Sequence, residues 1–292
     1  MTRLLDRLRD ILIKPEPLLP ENLLAAERER FTILPSGATV CIKVSTAYDL
    51  PYPFAVSAGF VGQVVREIHA VNPSLKIVLT EGGVGSQPVL PIAEKHGLTT
   101  LPGVSFVDAE ATEPVFVANP SPEPFQVEGF WLPRHWVEAD CRILLTTCKL
   151  RSHHWRRWFS GGTRNLIGLL PRQEYKLSES RRNMRSSLHK QGMDAMVADL
   201  YATTGRDVLT ILDCRLLARQ DEHLPMRFVR QVGSVVVESD PARADERMAT
   251  EILHLPFTPP YLSLIAQAAQ SRELPAPAAC LAASESVSGP TG

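Results

Sequence analysis

Val, Ile and Leu gather in six short runs along this chain, at 38–45, 75–80, 104–107, 142–147, 208–212 and 234–238, each bounded by Gly, Pro, Asp or Ser. Continuous apolar runs of that length suit strands buried on both faces of a parallel sheet. Elsewhere the apolar residues recur at helical spacing, at 54–70, 89–97, 155–170, 178–189, 193–204, 242–253 and 261–270. Strand and helix alternate through most of the chain. The pattern therefore predicts an α/β fold, a mainly parallel sheet with helices on both faces.

Three stretches depart from the alternation. Residues 116–132 carry Pro120, Pro122 and Pro124 and then an alternating Phe-Gln-Val-Glu-Gly-Phe-Trp, which predicts an inserted loop with a hairpin or edge strand. From residue 271 the chain turns to Ala, Pro, Ser and Gly, too poor in apolar surface to order itself, so a disordered tail is expected over 271–292. At the start, MTRLLDRLRDILIK mixes charged and apolar residues at helical spacing and lacks the unbroken apolar core of a secretory signal. It reads as a short amphipathic helix, with 1–37 leading into a single domain over 38–270.

Composition narrows the class of protein. The 292 residues are 44% hydrophobic and 22% charged with a formal net charge of −1, a soluble globular balance that argues against a nucleic-acid binder. The local basic run Arg181, Arg182 and Arg185, preceded by Arg172 and Lys176, reads as a solvated helix face. No run reaches the length of a membrane span. The five cysteines, Cys41, Cys141, Cys148, Cys214 and Cys280, are scattered without a CxxC pair, which fits a reduced, cytoplasmic protein. Cys148 reads as a small buried apolar residue. A homo-oligomer stays open.

If all six strands are parallel, their carboxyl ends meet along one crevice, where sheets of this kind bind ligands. Those ends carry Ser45, Thr46 and Asp49; Glu81 with Gly82-Gly83; Asp108; Lys149 and His153; Asp213; and Ser239 with Asp240. Any single Asp or Ser there suits a helix cap, so the collection is more informative than its members. A Lys anchors carboxylates or phosphates as a point charge and a His titrates near neutrality, so Lys149 and His153 could hold an anionic substrate and move a proton on it. His154 reads as filler. His189 could close a helix end or reach over the crevice as a second His. His153, His189 and one carboxylate would suffice for a single open metal site, but no HxH, HxxxH or HExxH spacing supports one. The turn 80–86, Thr-Glu-Gly-Gly-Val-Gly-Ser, could bring backbone amides to an anion or a nucleoside cofactor such as S-adenosylmethionine.

Taken in order, these motifs resemble the domain of unknown function 362 family. The strand before Lys149-Leu-Arg-Ser-His153 matches the family's Lys-x-x-x-His turn, and Arg164-Asn165-Leu-Ile-Gly168-Leu-Leu-Pro171 its Lys-Asn-x-x-Gly segment. His189, the strand ending at Asp213, and Ser239-Asp240-Pro241 with Asp245 come next in the family's order, with Ile42-Lys43-Val44 and Glu81-Gly82-Gly83 upstream. The resemblance spans roughly 38 to 270. Arg164 departs from the usual Lys, which keeps the charge and anion binding but not a proton-transfer role. Some relatives carry ferredoxin-like cysteine clusters. This chain has none, so no iron–sulfur cluster is expected.

The resulting expectation is an enzyme acting on a small anionic metabolite by Lys/His acid–base chemistry. Lys149, His153 and His189 would be catalytic, and Lys43, Glu81, Arg164, Asn165, Asp213 and Asp240 would bind or orient the substrate, without a resident metal. Two alternatives stand beside it. One is a group transferase using a nucleoside cofactor on the 80–86 turn. The other is a non-catalytic metal-handling or partner-binding protein docking through the Trp155/Trp158 region and the Arg181 to Arg185 helix.

Overall fold

The computed structural model describes residues 16–46, 49–83, 88–153, 156–175, 188, 192–221 and 228–270. Among them the strands are, in chain order, β1 (Thr39–Val44), β2 (Lys76–Glu81), β3 (Val104–Asp108), β4 (Pro114–Ala118), β5 (Gly129–Pro133), β6 (Cys141–His153), β7 (Arg156–Ser160), β8 (Leu209–Asp221) and β9 (Phe228–Glu238). Seven of them form one sheet in the order β3-β2-β1-β6-β8-β9, with β7 paired to β6 alone. β3, β2, β1, β6 and β8 are mutually parallel. The chain starts in the middle at β1, moves outward to β3, then returns to lay β6 on the other side of β1. The sheet's topological switch point therefore lies between β1 and β6.

Side-chain alternation along β1 divides the core. Val40, Ile42 and Val44 face Phe60, Val61, Val64, Val65 and Ile68 of the helix Ala58–Val71. Those five residues recur at the spacing of one helical stripe, and each fully buried side chain is worth roughly 1.5–3 kcal/mol. Ser57 caps this helix by accepting from the Phe60 amide, and an extended Asn72 ends it before Pro73. Cys41 faces the other way, toward Phe130, Trp136, Leu166, Leu169, Val197 and Tyr261. Helices thus cover both faces, as the sequence pattern predicts. Among the described residues no helix is long and apolar enough to cross a membrane.

Two local expectations are corrected. The helix expected over 155–170 begins instead with β7, which folds back antiparallel on β6, pairing Lys149 with Ser160 and His153 with Arg156. β6 runs far past the end of β1, and its free edge there takes β7 as a partner; a helix in its place would leave that edge bare. The helical part after β7 is only Gly162–Asn165 and the 3-10 turn Leu166–Leu169. β9 is antiparallel to β8, pairing Thr210 with Glu238. Only six residues separate β8 from β9, too few for the crossover that a parallel strand needs.

The insertion is a two-stranded antiparallel sheet, β4 with β5. Its connection is gathered on the buried carboxylate of Asp199, which accepts from the amides of Phe125, Gln126 and Val127 at 2.9, 2.7 and 2.8 Å. The helices expected over 1–14 and 178–189 and the tail 271–292 lie outside the described residues, Leu188 excepted.

Candidate functional site

Lys43 is the penultimate residue of β1, on the face that it shares with Cys41, and only 1% of its surface is exposed. Its ammonium meets the Glu81 carboxylate at the end of β2, Nζ to Oε1 2.6 Å, in a pair closed to solvent. Nζ also donates to Asn165 Oδ1 at 2.8 Å and to the Val44 carbonyl at 2.9 Å. The second oxygen of Glu81 accepts from the Thr46 amide and the first from the Gly82 amide, each at 3.0 Å. One carboxylate thus ties the chain leaving β1 to the chain leaving β2. Taking both charges out of water costs several kcal/mol per ion, which such an arrangement offsets only when the remaining lone pairs and protons are also bonded. Here they are.

Lys149 lies across the switch point from β1. It comes just after the irregularity in β6 at Thr147/Lys149, is 6% exposed, and donates from Nζ to Ser45 Oγ at 3.1 Å. Two residues beyond the Val44–Leu145 pair, on either strand, stand Thr46 and Thr147, both buried. Neither hydroxyl has a partner among the described residues, nor does Nδ2 of Asn165. Unpaired buried polar atoms are rare enough in folded proteins to need a reason, and a ligand or water is the usual one.

The segment 161–175 straps across this face and is fastened at three places. At its start the buried Asp245 accepts from the amides of Gly162 and Thr163, at 2.6 and 3.0 Å. Gly161 and Gly162 are required there, since a Cβ on the first would strike the Asp245 carboxylate and the Phe159 ring, and one on the second Thr210. In its middle, Asn165 holds Lys43. Gly168 lies so close to the ion pair that a Cβ would come within 2.6 Å of Lys43 Nζ and closer still to Glu81 Oε1. At its end Arg172 forms a two-pronged pair with Glu110, just past β3. Burial pushes the neighbouring Asp108 carboxyl above its ordinary range, against the pull of the Glu110 amide that donates to it.

Behind Glu81, His135 bridges β2 and the hairpin. Thr80 Oγ1 donates to the Val107 carbonyl, so it accepts from His135 Nε2 at 2.8 Å, and Nδ1 accepts in turn from Thr112 at 3.2 Å. Burial lowers this imidazole to about 4.

The remaining residues expected at the site are scattered. Arg164 lies beside Asn165 and pairs with Asp194 at 3.5 Å. Asp213 ends the first parallel run of β8, before the register shift, but points to the opposite face, where Arg215 grips it from Nε at 3.0 Å and Nη2 at 2.7 Å. The Arg215 guanidinium also reaches Glu16 and the Pro17 carbonyl and stacks over Tyr52 and Phe60. Asp240 comes after the antiparallel β9, so it sits at the other end of the sheet, capping the helix Pro241–Arg247 through the amides of Ala242 and Arg243 and accepting from Tyr201. His153 closes β6, with its side chain outside the described residues, as is His189. Residues 84–86 of the 80–86 turn lie outside them too, and Glu81 near its start is already engaged by Lys43. Among the described residues no group of three His, Cys, Asp or Glu side chains is arranged to hold a metal ion.

Glu110 and Arg172 are site residues that sequence reasoning does not place at the site, and Gly168 is named there only as the glycine of the Lys-Asn-x-x-Gly-like segment. A family model described as Domain of unknown function (DUF362) matches residues 40–250, well over half of the chain, and the match runs from β1 through the helix that carries Asp245. No curated protein and no solved structure matches.

Proposed function

The chain belongs to the domain of unknown function 362 family, and we propose that it is an enzyme acting on a small anionic metabolite, a carboxylate or a phosphate, beside the β1–β6 switch point. One observation carries this reading. Two buried lysines, Lys43 on β1 and Lys149 on β6, stand on the two strands that flank the switch point, where open α/β sheets bind their ligands, and just beyond the last β1–β6 pair the buried hydroxyls of Thr46 and Thr147 have no partner among the described residues. A core built for stability alone gains little from a buried ion pair, which apolar residues of equal volume replace without loss in many proteins.

In this reading Lys149 anchors the anion, and the Asn165 amide and the threonine hydroxyls orient it. Lys43, whose three protons go to Glu81, Asn165 and the Val44 carbonyl, supplies a fixed positive charge beside the substrate. His153 and His189 are the acid–base candidates, and Arg164 supplies a second cation at the rim. The test is calorimetric titration of wild type and Lys149→Ala with inorganic phosphate, then with small mono- and dicarboxylates and phosphomonoesters. At least one class should bind wild type, and the variant should bind about tenfold or more weakly, the worth of one charged hydrogen bond. Equal affinity in both proteins, or no binding by any class at millimolar concentration, would sink the proposal.

A further inference from the structure

Asp245 is fully buried on the helix Pro241–Arg247, whose residues line the face under the strap, and every hydrogen bond found on its carboxylate comes from outside that helix. Oδ1 accepts from the Gly162 amide at 2.6 Å, and Oδ2 from the Thr163 amide at 3.0 Å and the Tyr261 hydroxyl at 2.9 Å. Asn165 stands two residues beyond Thr163 in the same short helix, with its Oδ1 on Lys43. The carboxylate thus lies two short steps from the Lys43–Glu81 pair, through a turn with no room for a side chain at Gly161 or Gly162.

We propose that Asp245 is a positioning residue for this site: its ionised carboxylate holds the Gly161–Gly162–Thr163 turn, and its protonation loosens the turn and shifts Asn165 on Lys43. The inference deepens the functional reading given above and rests on it for the importance of Lys43. When the carboxylate gains a proton, its new O–H has the Tyr261 oxygen as an acceptor, whereas the two amides can only donate. An Oδ2–H bonded to Tyr261 weakens the Thr163 bond, and the start of the strap loses one of its two fastenings. Burial raises the Asp245 carboxyl to about 6, against the pull of these bonds. The groups facing it from other elements are Cys148 on β6 and Tyr261 on the helix Pro260–Gln270, with Arg164 and Asp194 beyond Tyr261. Burial pushes both the Cys148 thiol and the Tyr261 phenol upward, so both stay neutral around pH 6.

The test is a pH titration of the full chain, from 4.5 to 7.5, tracking the NMR signals of the Gly162 backbone amide and the Asn165 side-chain amide. Both should move with one shared midpoint near pH 6, and both should stop moving in Asp245→Asn. Should that variant fail to fold, Tyr261→Phe removes one bond to the ionised form and should raise the shared midpoint. Movement of Gly162 without Asn165, or an unchanged midpoint in the folded Tyr261→Phe protein, would overturn the proposal. No substrate enters this readout. Its failure would therefore leave the anion-binding reading standing, and absence of anion binding would leave this coupling intact.

Discussion

Lys43 and Asn165 stand 122 positions apart in the chain and 2.8 Å apart in the fold, the ammonium of one donating to the amide oxygen of the other. Removing Lys43 leaves Glu81 charged and buried with two backbone amides as its remaining neighbours. Lys43→Met is expected to lower unfolding free energy by about 3–5 kcal/mol, the usual penalty for orphaning a buried charge. The double variant Lys43→Met/Glu81→Gln should recover a large part of that loss, since no uncompensated charge is left. Urea denaturation of the four proteins in the cycle measures it. Additive losses would mean that the two charges do not depend on one another.

Gly168→Ala tests the closeness of the strap to the same pair. The added methyl has nowhere to go unless Lys43 or Glu81 gives way, so a loss of about 1–3 kcal/mol is expected, the range for overpacking. Gly37→Ala is the control. Its surroundings are open and only its backbone, at φ +80, opposes a side chain. It should cost roughly 1–2 kcal/mol, without disturbing the site. Thermal unfolding and anion titration together separate the two effects.

Much of this arrangement is legible in the residues. The apolar runs mark the parallel strands, and the polar residues that follow two of them bring Glu81 and Lys149 to one edge, while Lys43, inside the first run, is legible only through the family resemblance. Asp240 shows where that reasoning stops. It belongs to the edge only if the last strand is parallel, yet the span between Asp213 and Ser234 contains no helical pattern to serve as a crossover. Asp213 shows a second limit. The alternation of a strand tells which residues share a face, but its partner Arg215 is a charged residue two positions on, and nothing local says that both are buried. The position of Gly168 against an ion pair made by two other elements is a tertiary fact with no counterpart in spacing.

The Asp240 assignment has its own test. As an N-cap its side chain satisfies two amides, so Asp240→Ala should cost about 0.5–2 kcal/mol and Asp240→Ser much less. Neither change should alter the affinity for an anion that binds at Lys149, since β9 carries Asp240 to the far end of the sheet. A weaker anion titration in Asp240→Ser would return this residue to the site.

Stability against pH should reveal two opposed titrations. Asp245 has a folded value of about 6 against an ordinary 3.8, so between those values the folded state holds the extra proton. Stability from this group is therefore greatest in acid and falls as pH rises toward 6, by about 3 kcal/mol at 1.36 kcal/mol per unit. His135 runs the other way. Its folded value of about 4 lies below the ordinary 6.5, so acid favours the unfolded chain between those values. The wild-type profile should be shallow between pH 4 and 6. Asp245→Asn should steepen the loss in acid, and His135→Gln should reverse the slope, as chemical denaturation at several pH values would show.

The antiparallel course of β9 also bears on when the site comes into being. The chain must reach the far end of the sheet before the helix Pro241–Arg247 can thread back beneath the strap, so the anchor for the Gly161–Gly162 turn is supplied only after all nine described strands have been synthesised. Asp245 emerges roughly 200 residues after Lys43, which at ribosomal rates of about 5–20 residues per second is a delay on the order of 10–40 s. During that interval Lys43 and Glu81 can already pair, because β1 and β2 are neighbours both in sequence and in the sheet. A nascent chain therefore carries its charges before it carries the means to seat Asn165 on them, and competence of the site arrives only with completion of the domain.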